Sequence, residues 1–212
     1  MSAIVKTRKR RGKKPGPPVS DDLVRRDFTA GGPNQLWLVD ITKHRTREGK
    51  LYLCAVKDAF SRRIVGYSVA ERMKVRIAVD AVNNAVSRRG NVTGCIVHSD
   101  RGSQFRSRKH LRTLETHGLV GSMGRVSAAG GNAAMESFFA LLQNNVLDRR
   151  SWSTREQLRT AIVWWIERTY PRRRRQAALG RLTPIEFDTM MATPTALAAW
   201  LKLSPKPASD PS

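Results

Sequence analysis

Three short runs of apolar and β-favouring residues lie close together near the start of the chain, and they limit the folds available to it. The runs cover residues 36–42, 51–59 and 63–69. Gly49-Lys50 and Ser61-Arg62 supply turn residues between them. Strands joined by such short links pair antiparallel with their neighbours along the chain. The sequence therefore predicts a three-stranded antiparallel meander.

Beyond the meander, helical and strand patterns alternate. Apolar residues recur at helical spacing from Val75 to Val86, and Gly90 predicts the end of that helix. The remaining predictions are strands at 94–98 and 119–123 and helices at 107–117, 132–147 and 154–169. This order of elements is typical of a mixed sheet flanked by helices, so the predicted fold class is α/β.

The chain is strongly basic. Its 39 Lys and Arg residues outnumber its 17 Asp and Glu residues, giving a formal net charge of +22 over 212 residues. Self-repulsion of that size needs a polyanionic partner, and nucleic acid is the usual one. A basic ribosomal or chromatin protein would show the same balance, so the charge indicates a class of partner and not an activity. Cys54 and Cys95 lie in apolar runs, which is typical of reduced core thiols.

The ends of the chain differ in composition from its middle. Residues 1–23 are rich in Lys, Arg and Pro and predict a disordered basic arm, residues 24–188 predict the ordered core, and residues 189–212 predict a loosely ordered tail. No apolar run approaches the roughly 20 residues of a membrane span, and no apolar segment follows the arm as in a secretory signal. We therefore expect a cytoplasmic, nucleoid-associated protein with no membrane partner.

Because acids are scarce, their positions are informative. Asp40 interrupts the apolar run LWLV-D-IT, Asp100 ends the run IVHS, and Glu136 lies on a helix rich in Phe and Leu. Burial of a lone ionised carboxylate costs several kcal/mol, so acids at the edge of a core need a partner. Taken singly, Asp40 could pair with a nearby base, Asp100 could cap the next turn, and Glu136 could face solvent.

A divalent cation would satisfy all three acids at once. Mg²⁺ prefers oxygen ligands and binds through a few carboxylates together with substrate phosphates. Two such ions, about 3.5–4 Å apart, activate an attacking oxygen and stabilise the leaving oxygen of a phosphodiester. In this hypothesis Asp40 bridges both ions, and Asp100 and Glu136 each complete one of them.

Several segments, in order along the chain, resemble the integrase-type catalytic core of bacterial insertion-sequence transposases of the OrfB type, which is related to retroviral integrases. The segments are PNQLWLVDIT, GKLYLCAVKDAFSRRIVGYSV, IVHSDRGSQF, SMGR, NAAMESFFALLQ and YPRRRRQAALGRLTPIEF. They cover about residues 24–188, and Asp100 and Glu136 have 35 residues between them, as in the DDE signature of that family.

The resemblance implies a ribonuclease H-like fold, with a five-stranded mixed sheet of three antiparallel strands followed by two parallel ones. It assigns the three acids of the signature to Asp40, Asp100 and Glu136, with two Mg²⁺ or Mn²⁺ ions. It implies metal-dependent DNA strand cleavage and strand transfer. Because that reaction joins two transposon ends to target DNA, we expect a homo-oligomer on DNA.

Other residues are candidates for DNA contact or for support of the acids. Gln104 lies just after Asp100, and Arg125 ends the SMGR segment. His98, two residues before Asp100, is expected to act indirectly, as a hydrogen-bond partner of a metal ligand. A run of four arginines predicts contacts to the phosphate backbone: Arg172, Arg173, Arg174 and Arg175.

Three departures from the family pattern leave other functions open. Gly131 stands where relatives usually carry an acid, and Gln143 stands at or next to a position where lysine is common. Relatives also carry a helical DNA-binding region ahead of the core, so we expect a truncated copy or a frame joined to another product. The alternatives are a decayed, non-enzymatic DNA-binding remnant and a nuclease for RNA/DNA hybrids on the same fold.

Overall fold

A five-stranded mixed sheet lies at the centre of the protein, whose computed structural model describes residues 20–124 and 133–203. The strands are β1 (Leu36–Thr46), β2 (Gly49–Asp58), β3 (Ile64–Ala70), β4 (Ile96–Ser99) and β5 (Val120–Met123). Their order across the sheet is β3-β2-β1-β4-β5; the first three strands of the chain pair antiparallel, and β1, β4 and β5 run parallel. The predicted fold class and strand arrangement are therefore confirmed.

The described part of the chain contains seven α-helices. They are α1 (Val75–Arg89), α2 (Arg108–Thr116), α3 (Ala133–Asn145), α4 (Arg155–Trp164), α5 (Tyr170–Arg173), α6 (Pro184–Met190) and α7 (Pro194–Leu203). The helix predicted at 154–169 changes at Trp165–Thr169 into a π-helical turn that continues into α5. Pro171 explains this change, because it donates no backbone hydrogen bond and its ring crowds the carbonyl four residues earlier.

The sheet separates two apolar clusters, and the alternation of strand side chains decides which residues join each cluster. On β1, Trp37 and Val39 pack on the side covered by α1, whereas Leu36 and Leu38 pack on the side covered by α3 and α4. Asp40 continues the alternation of Leu36 and Leu38. Its side chain therefore belongs to the α3 side of the sheet.

Helix α6 is tied to the sheet region by partly buried ion pairs. Asp188 of α6 accepts hydrogen bonds from Arg89 of α1 at 2.7 and 3.0 Å and from Arg63 at 2.7 Å. A capping box begins α6, in which the Thr183 hydroxyl accepts the Glu186 backbone N–H and the Glu186 carboxylate accepts the Thr183 N–H. These contacts make α6 part of the same packed unit as β3 and α1.

Both ends of the described chain contact the core. Leu23, at the end of the predicted basic arm, donates its backbone N–H to Ser122 Oγ on β5 at 3.0 Å. The predicted loose tail after residue 189 includes α7, whose Trp200 ring packs edge-on against Phe187 at 5.1 Å. Ala and Leu are strong helix formers, and α7 is rich in both. Residues 1–19 and 204–212 lie outside the described residues.

Membrane insertion through a helix finds no support in residues 20–124 and 133–203. None of the helices there combines the length and the apolar character needed to cross a bilayer.

Gly66 of β3 provides a test of how α1 packs on the sheet. A Cβ at residue 66 would lie 2.4 Å from the Ala81 carbonyl oxygen and 2.6 Å from the Ala85 backbone nitrogen. Because both atoms belong to the helix backbone, Gly66→Ala must push α1 away from the sheet. We expect a loss of about 1–3 kcal/mol in the free energy of unfolding, measured by urea denaturation.

Gly121→Ala is the matched control for Gly66→Ala. Its added Cβ would meet Leu114 Cδ1 and Ser20 Oγ, both at 3.3 Å, and these side-chain atoms can move. An equal loss of stability in both variants would contradict the close helix–sheet contact at Gly66.

Candidate active site

The parallel pairing of β1 with β4 brings the first two predicted acids together. Leu38 lies opposite His98 in this pairing. Continued by two residues, the same register places Asp40 beside Asp100, which directly follows β4. Residues opposite each other on neighbouring strands lie about 4.8 Å apart and point to the same face of the sheet. Two acids that are 60 positions apart in the sequence thus lie side by side where β4 ends beside β1.

Tight local hydrogen bonds hold the two carboxylates. Asp100 Oδ1 accepts the backbone N–H of Gly102 at 2.9 Å. A Cβ at residue 102 would lie 2.8 Å from this oxygen, so glycine is needed for the approach. Asp40 Oδ1 accepts the N–H of Ile41 at 2.7 Å. The predicted turn-capping role of Asp100 is therefore present and leaves the second oxygen of the carboxylate available.

The first turn of α3 carries the third predicted acid. Met135 and Phe138 are fully buried in the cluster that also contains Leu38, and they fix α3 against the sheet face on which Asp40 lies. Glu136 lies between them in the sequence and is exposed. The helix thus buries its apolar residues beside β1 while Glu136 stays free to meet a ligand.

The three carboxylates interact electrostatically. The pKa of Asp40 rises from 3.8 to about 6, mainly because the group is buried; the Ile41 hydrogen bond opposes the rise, and the charges of Asp100 and Glu136 add to it. Within the described residues, none of the salt bridges includes any of these acids. The site is therefore a local concentration of negative charge without an ion-pair partner.

This arrangement fits a divalent cation, because such an ion takes oxygen ligands and would relieve the repulsion among the carboxylates. In residues 20–124 and 133–203, however, no three His, Cys, Asp or Glu side chains already stand close enough together to hold an ion. The two observations are compatible, since charges interact over longer distances than the roughly 2–2.6 Å of a metal–oxygen bond. The three acids would have to draw together around an ion.

His98 contacts β5 and the segment before β1. Its Nδ1 lies 3.0 Å from Ser122 Oγ, the atom that also accepts the Leu23 N–H. The serine hydroxyl can therefore donate to Nδ1, which leaves the proton of the neutral imidazole on Nε2. Burial lowers the pKa of His98, against an opposing effect of Asp22, so the ring is neutral at pH 7. Among the contacts of the described residues, the predicted hydrogen bond to a metal ligand is not found.

Gln104 lies beside the turn that follows Asp100. Its Oε1 is 3.3 Å from the position that a Cβ of residue 102 would occupy, and its Nε2 donates to the Met73 carbonyl oxygen at 3.5 Å. Gln104 therefore connects the Asp100 turn with the loop between β3 and α1. It is half-buried, so a face of its amide remains accessible.

The four predicted DNA-binding arginines are exposed at the end of α5 and just beyond it: Arg172, Arg173, Arg174 and Arg175. Arg175 donates to the Arg181 carbonyl oxygen at 3.2 Å and lies 3.9 Å from Glu186. The charge of Arg174 reaches the buried Lys57, which contacts α3. The patch thus lies on the α3 side of the sheet, as the three acids do.

Of the two residues that depart from the family pattern, Gln143 and Gly131, the structure describes Gln143. Gln143 donates through Nε2 to Asp148 Oδ1, so its amide is engaged within the region where α3 ends. Arg125 and Gly131 lie outside the described residues.

The sequence reasoning missed two further groups of basic residues. Exposed cations line α2, which begins eight positions after Asp100: Arg108, Lys109 and Arg112. Lys57 is buried in β2 and donates to the Ala134 carbonyl oxygen of α3 at 2.8 Å. The buried Lys57 could have been identified from the sequence, because a lysine inside the apolar run LCAV-K-DA is unusual.

Comparison with known families identifies the class of this protein. Two overlapping family models, both described as the integrase core domain, match residues 30–128 and residues 117–184. The chain therefore belongs to the integrase core domain family, and the sequence relatives below come from insertion sequences.

The relatives are longer than this chain. Over 173 residues the chain is 41% identical to transposase InsF for insertion sequence IS3A of Escherichia coli K12, a match that covers 82% of this chain and 60% of that protein. Over 170 residues it is 36% identical to the uncharacterized 31 kDa protein of insertion element IS600 from Shigella sonnei, covering 80% and 62%. The chain thus spans about three fifths of the length of these relatives.

Solved structures share the fold. The HTLV-2 integrase catalytic core domain in complex with magnesium has a TM-score of 0.57 and 18% identity, covering 74% of this chain and 97% of that one. A chain of the simian T-cell lymphotropic virus intasome has a TM-score of 0.65 and 16% identity, covering 94% and 65%. This likeness confirms the expected ribonuclease H-like fold of retroviral integrase cores.

The raised pKa of Asp40 predicts a stability effect in the metal-free protein. Because the folded state disfavours the ionised carboxylate, folding stability falls as pH rises from about 4 to about 6 and Asp40 loses its proton. Asp40→Asn removes this charge. At pH 7.5 with a chelator, we expect Asp40→Asn to be more stable than the wild type by on the order of 2 kcal/mol.

The measurement is urea denaturation of both proteins across pH 4–8. The stability difference should vanish toward pH 4, where Asp40 is protonated in the wild type. A difference that did not change with pH would contradict the burial of a strained carboxylate at this position.

Proposed function

We propose that the chain is a DDE transposase core that cuts DNA strands and joins them to target DNA in a metal-dependent reaction. The observation that carries this proposal is that Asp40 and Asp100 lie side by side where β4 ends beside β1. Glu136 is close enough to these acids to raise the pKa of Asp40. Three carboxylates from a strand, a strand end and a helix suit divalent cations, and no salt bridge among the described residues neutralises them.

The proposed ligands are the three acids, with Asp40 in the central position. Two bound Mg²⁺ or Mn²⁺ ions would supply activation of the attacking oxygen and stabilisation of the leaving oxygen. Asp100 and Glu136 would each complete the ligands on one side of Asp40. Gly102 supports this role, because its N–H fixes one Asp100 oxygen and orients the other. The magnesium in the HTLV-2 integrase core structure supports the choice of ion.

One site can serve both chemical steps. Strand cleavage uses water as the attacking group, and joining uses the freed 3′-hydroxyl of the cut strand. Each step is an in-line displacement at a phosphodiester, so the same carboxylates suit both. Neither step needs a covalent bond between protein and DNA.

Exposed basic surfaces support DNA binding. The exposed arginines after α5 and the exposed cations of α2 offer phosphate contacts, and Gln104 offers an amide beside Asp100. The family of InsF and the intasome neighbour support an assembly of several copies on transposon-end and target DNA. Such a substrate would bring the protein to the nucleoid.

A second candidate function is DNA binding without catalysis. Two observations favour it: the described residues hold no ready cluster of three metal ligands, and Gln143 is hydrogen-bonded to Asp148 where a lysine is common in relatives. This candidate predicts salt-sensitive duplex binding with no cleavage in Mg²⁺ or Mn²⁺.

Replacement of one proposed ligand separates the two candidates. We expect Asp100→Asn to lower strand cleavage and strand transfer by about 100-fold or more, since even groups behind the ligands of a metal site contribute 10–100-fold. The assay uses labelled transposon-end duplex with Mg²⁺ or Mn²⁺ and resolves nicked and joined products. Cleavage by the wild type that persisted in Asp100→Asn would contradict the assignment.

Asp80→Asn is the control for that substitution. Asp80 lies on α1, which covers the sheet face opposite to that of Asp40, and forms an exposed ion pair with Arg76 at 3.2 Å. The same chemical change there should leave cleavage unaltered.

The arginine patch gives a separate prediction about binding. If Arg173 contacts a phosphate, Arg173→Gln should weaken duplex binding and reduce the slope of log K against log[salt] by about 1. The slope is measured by fluorescence anisotropy at salt concentrations between about 50 and about 200 mM, a range over which phosphate contacts weaken strongly. Arg76→Gln removes the same charge from exposed α1 and should leave the slope unchanged; an equal effect in both variants would show a general charge effect.

A further inference from the structure

Lys57 breaks the polarity pattern of the strand on which it lies. It is only 3% exposed in β2, between Val56 and the buried Asp58. Its partner across β1 is Leu38, so its side chain points to the sheet face that α3 covers. A single strong polar contact is observed, in which Nζ donates to the Ala134 carbonyl oxygen at 2.8 Å.

The surroundings of Lys57 are unfavourable for a cation. Burial, together with the positive charges of Arg62 and Arg174, lowers the pKa of Lys57 from 10.5 to about 7. Within the described residues no salt bridge joins Lys57 to a carboxylate. The ammonium also approaches the first turn of a helix, where the helix dipole disfavours positive charge. An apolar side chain of similar length would suit stability better.

Residues that break a local rule without a gain in stability are concentrated at functional sites. The position of Lys57 suggests what it gains. On β2, Ala55 lies opposite Asp40, and Lys57 lies two residues further along the same strand. Its hydrogen bond reaches Ala134, two residues before Glu136 on α3. Lys57 therefore connects the strand pair that holds the first acid with the helix turn that holds the third.

We propose that Lys57 is a positioning residue for the reaction, which anchors the first turn of α3 so that Glu136 is held at a fixed place relative to Asp40. This inference rests on the proposed function for its chemical meaning. Lys57 is buried, so it does not act by touching DNA. Packing of Met135 and Phe138 sets the distance of α3 from the sheet, whereas the Lys57 hydrogen bond opposes sliding or fraying of its first turn.

The experiment replaces Lys57 by methionine, which keeps the length of the side chain and removes the donor. We expect Lys57→Met to keep or raise the unfolding midpoint, to bind duplex DNA within about twofold of the wild type, and to cleave it with kcat about 10–100-fold lower. Hydrogen exchange of the Ser137 and Phe138 amides, whose helical acceptors are the carbonyl oxygens of the first turn of α3, should be faster, without DNA or metal. A purely structural role would instead lower the unfolding midpoint.

Two other variants complete the test. Lys57→Gln has an amide too short to reach Ala134 and should reproduce the slower cleavage and faster exchange if the methionine variant does not fold. Lys50→Met makes the same change at the exposed start of β2 and should match the wild type in cleavage and exchange. Cleavage at the wild-type rate in Lys57→Met, or in Lys57→Gln, would overturn the proposal.

The hydrogen-exchange measurement separates the two proposals. If the wild-type chain does not cleave DNA, the proposed function fails, and the exchange of the α3 amides alone then decides whether Lys57 anchors the helix. Unchanged exchange in both Lys57 variants would overturn the anchoring, whatever the activity of the wild type.

Discussion

The pairing of β1 with β4 is the interaction on which the site depends. Parallel strands cannot be joined by a tight turn, so the chain must pass through β2, β3 and α1 before β4 returns beside β1. A slip of one residue in this pairing would turn the side chains of one strand to the opposite face. The register that sets Leu38 opposite His98 therefore also decides whether Asp40 and Asp100 can share a ligand. The close contact of Gly66 with α1 supports that register, because it fixes the crossover helix on the sheet.

The acids and Lys57 show that this part of the molecule is not arranged for maximal stability. Asp40 is half-buried near two other carboxylates, and Lys57 is buried near two arginines, yet no salt bridge of the described residues joins the two kinds of charge. Both groups lie on the central strands β1 and β2 and on the same sheet face. Elsewhere, acids such as Asp188 are paired with arginines. The contrast agrees with the proposed function, in which the unpaired charges serve the site.

Sequence patterns predicted the elements well because alternation and helical spacing are local signals. They led to every strand and to the helix that carries Glu136, and the family resemblance supplied the expectation of three antiparallel strands followed by two parallel ones. What they missed depends on contacts between distant residues. Nothing near His98 in the sequence indicates that its partner is Ser122, and nothing near Lys57 indicates Ala134. The π-helical turn before Pro171 also had a local cause, but the apolar spacing of that helix concealed it.

The charge distribution reconciles a basic protein with an acidic site. At physiological ionic strength the field of a charge is screened beyond about 8 Å. Most phosphates of a bound duplex would lie further than this from Asp40, Asp100 and Glu136, so they would respond to the basic side chains nearest to them, such as Arg173. Only a phosphate at the site itself meets the carboxylates. There the repulsion between phosphate and acids can be offset by a divalent cation, so binding of DNA along the surface and entry of one phosphate into the site are physically separate events.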